Sequence, residues 1–206
     1  MTAKLQLGYL EFDALREVAN IASGHAATAL GQLIERRVMI TVPTFTAGTV
    51  DELPGLLGYR DRPVAVAVMH VLGDVKGTLA FFMQESKARE LSAILLRRPE
   101  DGGGLDALGR SSLAETANIL GGAYANALAG LLGRTVMLSV PTFGIEPPER
   151  VLEQQRRESP AAQLALCIET QLLVDECGTG YGGHIVLLPD GDGLRLLLDA
   201  LHVGGG

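Results

Sequence analysis

The feature that most constrains this chain is a repeat. The 33 residues DALREVANIASGHAATALGQLIERRVMITVPTF, Asp13 to Phe45, return 98 positions later as SSLAETANILGGAYANALAGLLGRTVMLSVPTF, Ser111 to Phe143. No gap intervenes, and 17 of the 33 pairs are identical. A chain that repeats itself this closely folds twice into the same unit. The 206 residues are therefore expected to form one pseudo-symmetric domain, 1–206, of two halves. The halves run over about 9–97 and about 108–203. Between them, about 98–107, lie Pro99 and Gly102-Gly103-Gly104, which mark a linker.

Each copy opens with helical periodicity. Leu15, Val18, Ala19, Ala22, Ala26, Ala29, Leu30 and Leu33 recur at three- and four-residue steps, which predicts a helix over about 10–35. Its Ala- and Gly-rich face allows close approach of another backbone. Asp13 near the start suits the positive end of the helix dipole. Arg37 to Val42 reads as a short strand closed by Pro43. Residues 46–62 hold Gly48, Pro54, Gly55 and Gly58 and read as a long loop. Val64–Leu72 and Val75–Met83, joined at Gly73-Asp74, read as a β-hairpin, and Glu85–Leu96 as a helix.

The second half repeats this order. A helix is expected over about 108–132, a strand over Thr135–Val140, and a loop around Pro147-Pro148. A solvated charged stretch, Glu153–Glu158, leads to strands at about 163–174 and 181–188, then to a last helix from near Asp190 to before His202. The expected class is α+β. It is a tandem pseudo-two-fold repeat of α-β-β-β-α units, with helices on a mainly antiparallel sheet.

Composition excludes several functions. The net charge of −7 disfavours nucleic acid and anionic membrane surfaces as partners. No apolar run nears the roughly 18 residues of a membrane span, and Met1 leads into no secretory h-region. The two cysteines, Cys167 and Cys177, form no metal-ligand or redox pattern and read as free thiols, Cys167 in the core. A soluble, cytoplasmic protein is expected.

Most identical pairs in the repeat are apolar or small, as a shared fold requires. Glu17 and Asn20, with their copies Glu115 and Asn118, are polar and lie in a helical stretch whose packing does not need them. At a three-residue spacing each pair projects from one helix face, with Asp13 or Ser111 one turn earlier. A carboxamide donates and accepts at once, so it can orient a water for attack on phosphorus. A carboxylate beside it can pair with a partner's lysine. No residue of the set is a convincing nucleophile, and no metal-ligand cluster accompanies it. A solvated helix face and a functional site both fit these residues.

The run DALREVANIASGHAATAL with VPTF after it resembles the CheC/CheX/FliY family of chemotaxis phosphatases. That family's motif is Asp or Ser, three residues, Glu, two residues, Asn, about 22 residues, then Pro. Asp13, Glu17, Asn20 and Pro43 match it, and so do Ser111, Glu115, Asn118 and Pro141. The internal two-fold repeat is also a family trait, and the lack of an added switch domain resembles the CheC branch. His25 departs from the family's usual Asn in the first helix.

The resemblance implies hydrolysis of the aspartyl phosphate on a CheY-type receiver. Asn20 and Asn118 would orient the attacking water, and Glu17 and Glu115 would hold the receiver's lysine. The chain would bring no cofactor of its own, the Mg²⁺ being the receiver's. CheD, the receptor deamidase, is a second partner known in the family. Two other classes stand beside this one. One is a receiver-binding or CheD-regulating module without catalysis, and the other is a small-molecule hydrolase, disfavoured by the missing nucleophile–base pair. The flanks of the two sites differ, Ser23-Gly24 and Ala26 against Gly121-Gly122 and Tyr124, which predicts unequal activities.

Overall fold

The computed structural model describes residues 8–41, 44–59, 62–99, 103–158, 164–174 and 180–203, with residues 202 and 203 described by their backbone alone. The first half runs α1 (Tyr9–Ile34), β1 (Val38–Ile40), β2 (Thr44–Thr49), α2 (Leu53–Leu57), β3 (Val64–Gly73), β4 (Gly77–Gln84) and α3 (Glu85–Leu95). The second repeats it as α4 (Ala107–Leu132), β5 (Val136–Leu138), β6 (Thr142–Glu146), α5 (Pro148–Glu158), β7 (Leu164–Val174), β8 (Gly180–Pro189) and α6 (Gly191–Val203).

The α+β class and the repeat hold, and each half carries one strand and one helix more than the periodicity suggested. Part of the stretch 46–62, expected to be loop, instead belongs to β2 and contains α2. Pro54 is tolerated because it sits in the first turn of α2, where its missing N–H has no helical partner to lose. Gly58 ends that helix in the left-handed region at φ 71°. The expected loop around Pro147-Pro148 likewise gives way to β6 and α5. The charged stretch Glu153–Glu158 is not simply solvated: it is the last part of α5, which buries Val151, Leu152 and Gln155. Residues 1–7, Val42, Pro43, Gly102, Cys177 and the Gly204–Gly206 tail lie outside the described residues.

The sheet is antiparallel throughout, in the order β1-β7-β8-β4-β3-β5. β2 adds to β7 beyond β1, and β6 adds to β3 beyond β5. Exchanging the halves leaves this pattern unchanged, which is a pseudo-two-fold relation centred on the β4–β8 pair. The outer strands are also exchanged between halves. β1 and β2 pair with β7 of the second half, and β5 and β6 pair with β3 of the first.

Strand alternation sends side chains to two cores. Ala65, Ala67 and Met69 face α1, α3 and α4, in a cluster with Ala19, Ala22, Leu91, Ala117 and Leu120. Val64, Val66, Ala80 and Phe82 point the other way, into a cluster with Leu53 and Leu57 of α2 and Val151 and Leu152 of α5. Cys167 lies in this second core, and burial pushes its thiol up to about 12.

Candidate functional site

α1 buries Leu15, Val18, Ala19, Ala22, Ser23, Ala26, Leu30 and Ile34, a stripe at helical spacing. The opposite face carries Asp13 and Glu17, both exposed, with Asn20 half-buried at its border. α4 buries Leu113, Thr116, Ala117, Leu120, Gly121 and Tyr124 on its inner side. Ser111, Glu115 and Asn118 are exposed on its outer side. Each Glu and Asn therefore stands on a 26-residue helix fixed by its other face. Among the described residues, none of Glu17, Asn20, Glu115 and Asn118 has a side-chain hydrogen bond or ion pair with another residue. Asp13 accepts from the Arg16 guanidinium at 3.2 Å. Both groups are more than half exposed, so that pair adds little stability.

The ends of both helices are held. Asp106 caps α4, accepting the Gly109 N–H at 2.7 Å. It also receives two hydrogen bonds of 2.8 Å from the Arg98 guanidinium. Arg98 first, then the Gly109 N–H, hold its carboxyl well below the usual carboxylate range. Glu35 closes α1 in the left-handed region at φ 54°, where the copy has Gly133 at φ 60°. Arg97 donates to the Ile34 carbonyl at 3.1 Å and pairs with Glu35 at 2.6 Å, satisfying an otherwise orphaned helix-end carbonyl. Phe12 meets Phe45 edge to face at 5.2 Å and ties the start of α1 to β2.

Beneath the two helices the copies diverge. A Cβ on Gly121 would lie 2.9–3.1 Å from the side-chain tips of Leu138, Met69 and Leu79, so a side chain there would have to push those tips aside. The registers place Ile40, Thr170 and Gly183 at the equivalent positions of the other half. With that smaller set, α1 carries Ser23 at the position matching Gly121. The Ser23 hydroxyl hydrogen-bonds the buried Tyr124 hydroxyl at 3.0 Å, a direct brace between α1 and α4. Its counterpart under the repeat would be Gly121 against Ala26, which can make no such bond. The expected difference in surroundings is therefore present.

Pro43 lies outside the described residues, and Pro141 is half-buried in a β-bulge. Leu138 pairs with Val71, and pairing resumes at Thr142 with Val68. Ser139, Val140 and Pro141 thus face only His70 and Met69, one surplus residue. The Ser139 N–H donates to the His70 carbonyl at 3.0 Å, and the His70 N–H donates to the Ser139 hydroxyl oxygen at 3.0 Å. The hydroxyl thereby replaces the ladder carbonyl. In the first half the Thr41 N–H donates to the Gln171 carbonyl at 3.1 Å, and the Gln171 N–H to the Thr41 hydroxyl at 3.3 Å. Thr41 and Ser139 are among the residues that reading the sequence for polar identities passed over. Their signal was a hydroxyl kept at one repeat position while the residue changed.

Among the described residues, no group of three or more His, Cys, Asp and Glu side chains is placed to hold a metal ion, and no helix is long and apolar enough to cross a membrane. What the geometry offers is two carboxylate–carboxamide pairs, exposed at Glu17, Glu115 and Asn118 and half-buried at Asn20.

Comparison with known proteins bears on that arrangement. The model of the CheC-like family matches residues 10–46 and 108–150, which contain both copies of the 33-residue repeat. The CheY-P phosphatase CheC of Bacillus subtilis (strain 168) is 32% identical over 195 residues, 93% of this chain and 93% of that protein. The flagellar motor switch phosphatase FliY of the same organism is 27% identical over 139 residues, 66% of this chain and 35% of FliY. The crystal structure of Thermotoga maritima FliY matches with a TM-score of 0.78 at 19% identity, covering 97% of this chain and 99% of that one, and so shares the fold. With two motif copies on equivalent helices and a relative this similar along nearly its whole length, the chain belongs to the CheC-like family.

Proposed function

We propose that this chain is a phosphatase that hydrolyses the aspartyl phosphate of a CheY-type receiver domain in chemotaxis signalling. One observation carries the reading. The same Glu and Asn recur on the outer faces of two rigid helices, with their polar groups uncommitted to any described residue of the chain. The similarity to a CheY-P phosphatase along 93% of both chains supports it.

Catalysis here is positioning. The carboxamide of Asn20 or Asn118 enters the receiver's site and accepts a hydrogen bond from a water in line with the phosphorus. That water's oxygen bonds to phosphorus as the bond to the receiver's aspartate breaks, releasing inorganic phosphate and a free carboxylate. Glu17 or Glu115 pairs with the receiver's lysine. This contact is weak while exposed and becomes a charge-assisted bond once docking excludes water. Mg²⁺ on the receiver neutralises the phosphoryl oxygens, and the chain needs no cofactor of its own. Asp13, Ser111, Pro43 and Pro141 support the motif. The setting is cytoplasmic, and CheD is a second partner with no residues assigned to it.

The test is to follow loss of labelled phosphoryl group from a CheY-type receiver, with the chain at a tenth of the receiver concentration. Faster decay with several turnovers per chain is the expected result. Unchanged or slowed decay would make the protein a receiver-binding module instead.

A further inference from the structure

We propose that Leu10 and Leu108 are docking anchors for the receiver domain. Each keeps water from the contact between its own helix's carboxylate, Glu17 or Glu115, and the receiver's lysine. The proposal rests on the functional reading above and names the surface that makes the carboxylate effective. It starts from a pair of solvent-facing leucines at one position of the repeat.

Leu10 and Leu108 are 98 positions apart, the offset of the repeat, and lie just ahead of its two 33-residue copies. Their neighbours differ, Tyr9 and Glu11 against Ala107 and Gly109, so the leucine is not carried along in a run of identity. Leu10 is 63% exposed and Leu108 is 59% exposed. One exposed leucine is ordinary on a protein surface. The same leucine exposed at the same repeat position in both halves is a more particular feature, because it adds little to either core. Both sit in first helical turns that are fixed in place. Glu11 accepts the Gly8 N–H at the start of α1, and Asp106 accepts the Gly109 N–H at the start of α4.

Helix geometry places each leucine beside its carboxylate. Glu17 follows Leu10 by seven residues within α1, and Glu115 follows Leu108 by seven within α4. At about 100° and 1.5 Å per residue, seven residues return to within about 20° of the same direction, about 10 Å along the axis. Leucine and carboxylate therefore project from one face of one helix, with Asp13 or Ser111 between them. A standard interface covers about 800 Å² on each partner, roughly 30 Å across. A receiver whose lysine meets the carboxylate thus covers the leucine as well. A carboxylate–lysine pair left in water is worth little, and an apolar side chain closing over its flank shields it from solvent. The receiver suits this face better than a second copy of the chain does. A two-fold contact between copies would set Glu17 against Glu17 or Glu115 against Glu115, whereas the receiver brings a cation. In this arrangement the leucines act in docking, and Asn20 and Asn118 act at the phosphoryl group.

The experiment uses the full chain carrying Glu17→Ala and Asn20→Ala, so that only the α4 site turns over. Into it go Leu108→Ser, Leu108→Met, Glu115→Ala, and Leu108→Ser together with Glu115→Ala. Kd is measured for a receiver carrying beryllofluoride as a stable phosphoryl mimic, with kcat and KM where Glu115 is kept. Leu108→Ser is expected to raise Kd and KM roughly five- to tenfold, as for loss of one apolar side chain buried on docking, while kcat stays near its starting value. Leu108→Met keeps the apolar volume and the starting Kd. Glu115→Ala should raise Kd by a factor about threefold smaller in the Leu108→Ser chain than with Leu108 in place, because the carboxylate it removes is then already wet. Leu10→Ser in a chain carrying Glu115→Ala and Asn118→Ala should raise Kd in the same way. Native Kd in either Leu→Ser variant would overturn the proposal, and so would Leu108 and Glu115 effects that simply multiply. A receiver that is bound but not hydrolysed defeats the functional reading, while Kd still decides the role of the leucines. If the chain does not bind the receiver at all, both fall.

Discussion

Tyr124 and Gly121 show how single residues make two repeats unlike. Tyr124 stands where the first helix has Ala26, and its hydroxyl meets Ser23, which is 5% exposed. Replacing Tyr124 with Phe leaves the Ser23 hydroxyl buried without this partner. The expected loss is about 1–2 kcal/mol, measured as a fall in the urea midpoint at unchanged m-value. Gly121→Ser tests the floor beneath α4. Serine is accommodated at the matching position 23, yet at 121 its Cβ meets Leu138, Met69 and Leu79. Overpacking of this kind costs about 1–3 kcal/mol, so Gly121→Ser should lower stability although it copies the other half. An unchanged midpoint would show that the three side chains yield freely.

At this scale the motif residues were legible because identity across the repeat singled out Glu17, Asn20, Glu115 and Asn118 among apolar neighbours. The Ser23–Tyr124 brace was not legible, since it joins positions 101 apart that are not repeat partners. The hydroxyls of Thr41 and Ser139 were hidden by their ordinariness in a strand.

Among the elements, α4 depends visibly on its cap. Asp106 holds the Gly109 N–H and the Arg98 guanidinium, and its folded-state carboxyl titrates well below its ordinary range. A lowered folded-state value means that its contribution is fully present above the unfolded value near 3.9 and is lost as pH falls toward the folded one. Asp106→Ala should therefore lower the melting temperature at pH 7. The gap between variant and native chain should narrow as pH drops below about 4. A gap that stays constant from pH 7 to 3 would mean that the carboxylate's charge contributes nothing.

The long helices and the β3–β4 hairpin were readable because their periodicities are strong and local. β2 and β6 were not. Neither TFTAGT nor TFGIE has the apolar content of a central strand, and each becomes a strand by pairing with β7 or β3. α2 is five residues with Pro54 and Gly55 inside it, a composition that reads as loop until Leu53 and Leu57 are seen to be buried.

For the whole molecule, the decisive fact is the exchange of outer strands. Neither half's strands complete a sheet alone, and the two motif helices share one core and one brace. No local pattern in the sequence encodes that exchange, because it is fixed by pairings between residues more than 60 positions apart. Its consequence for function is rigidity: each Glu–Asn pair is carried on a helix packed against its twin and against strands from both halves.

On this mechanism the rigidly held carboxamides of Asn20 and Asn118 orient the attacking water. The measurement is phosphate release from a labelled CheY-type receiver by the Asn20→Ala, Asn118→Ala chain, run beside a binding assay with the beryllofluoride-bearing receiver. Turnover is expected to fall about 10²-fold or more while Kd stays near native. Near-native turnover in that double variant would contradict it, and would mean that the chain speeds decay by changing the receiver's own conformation.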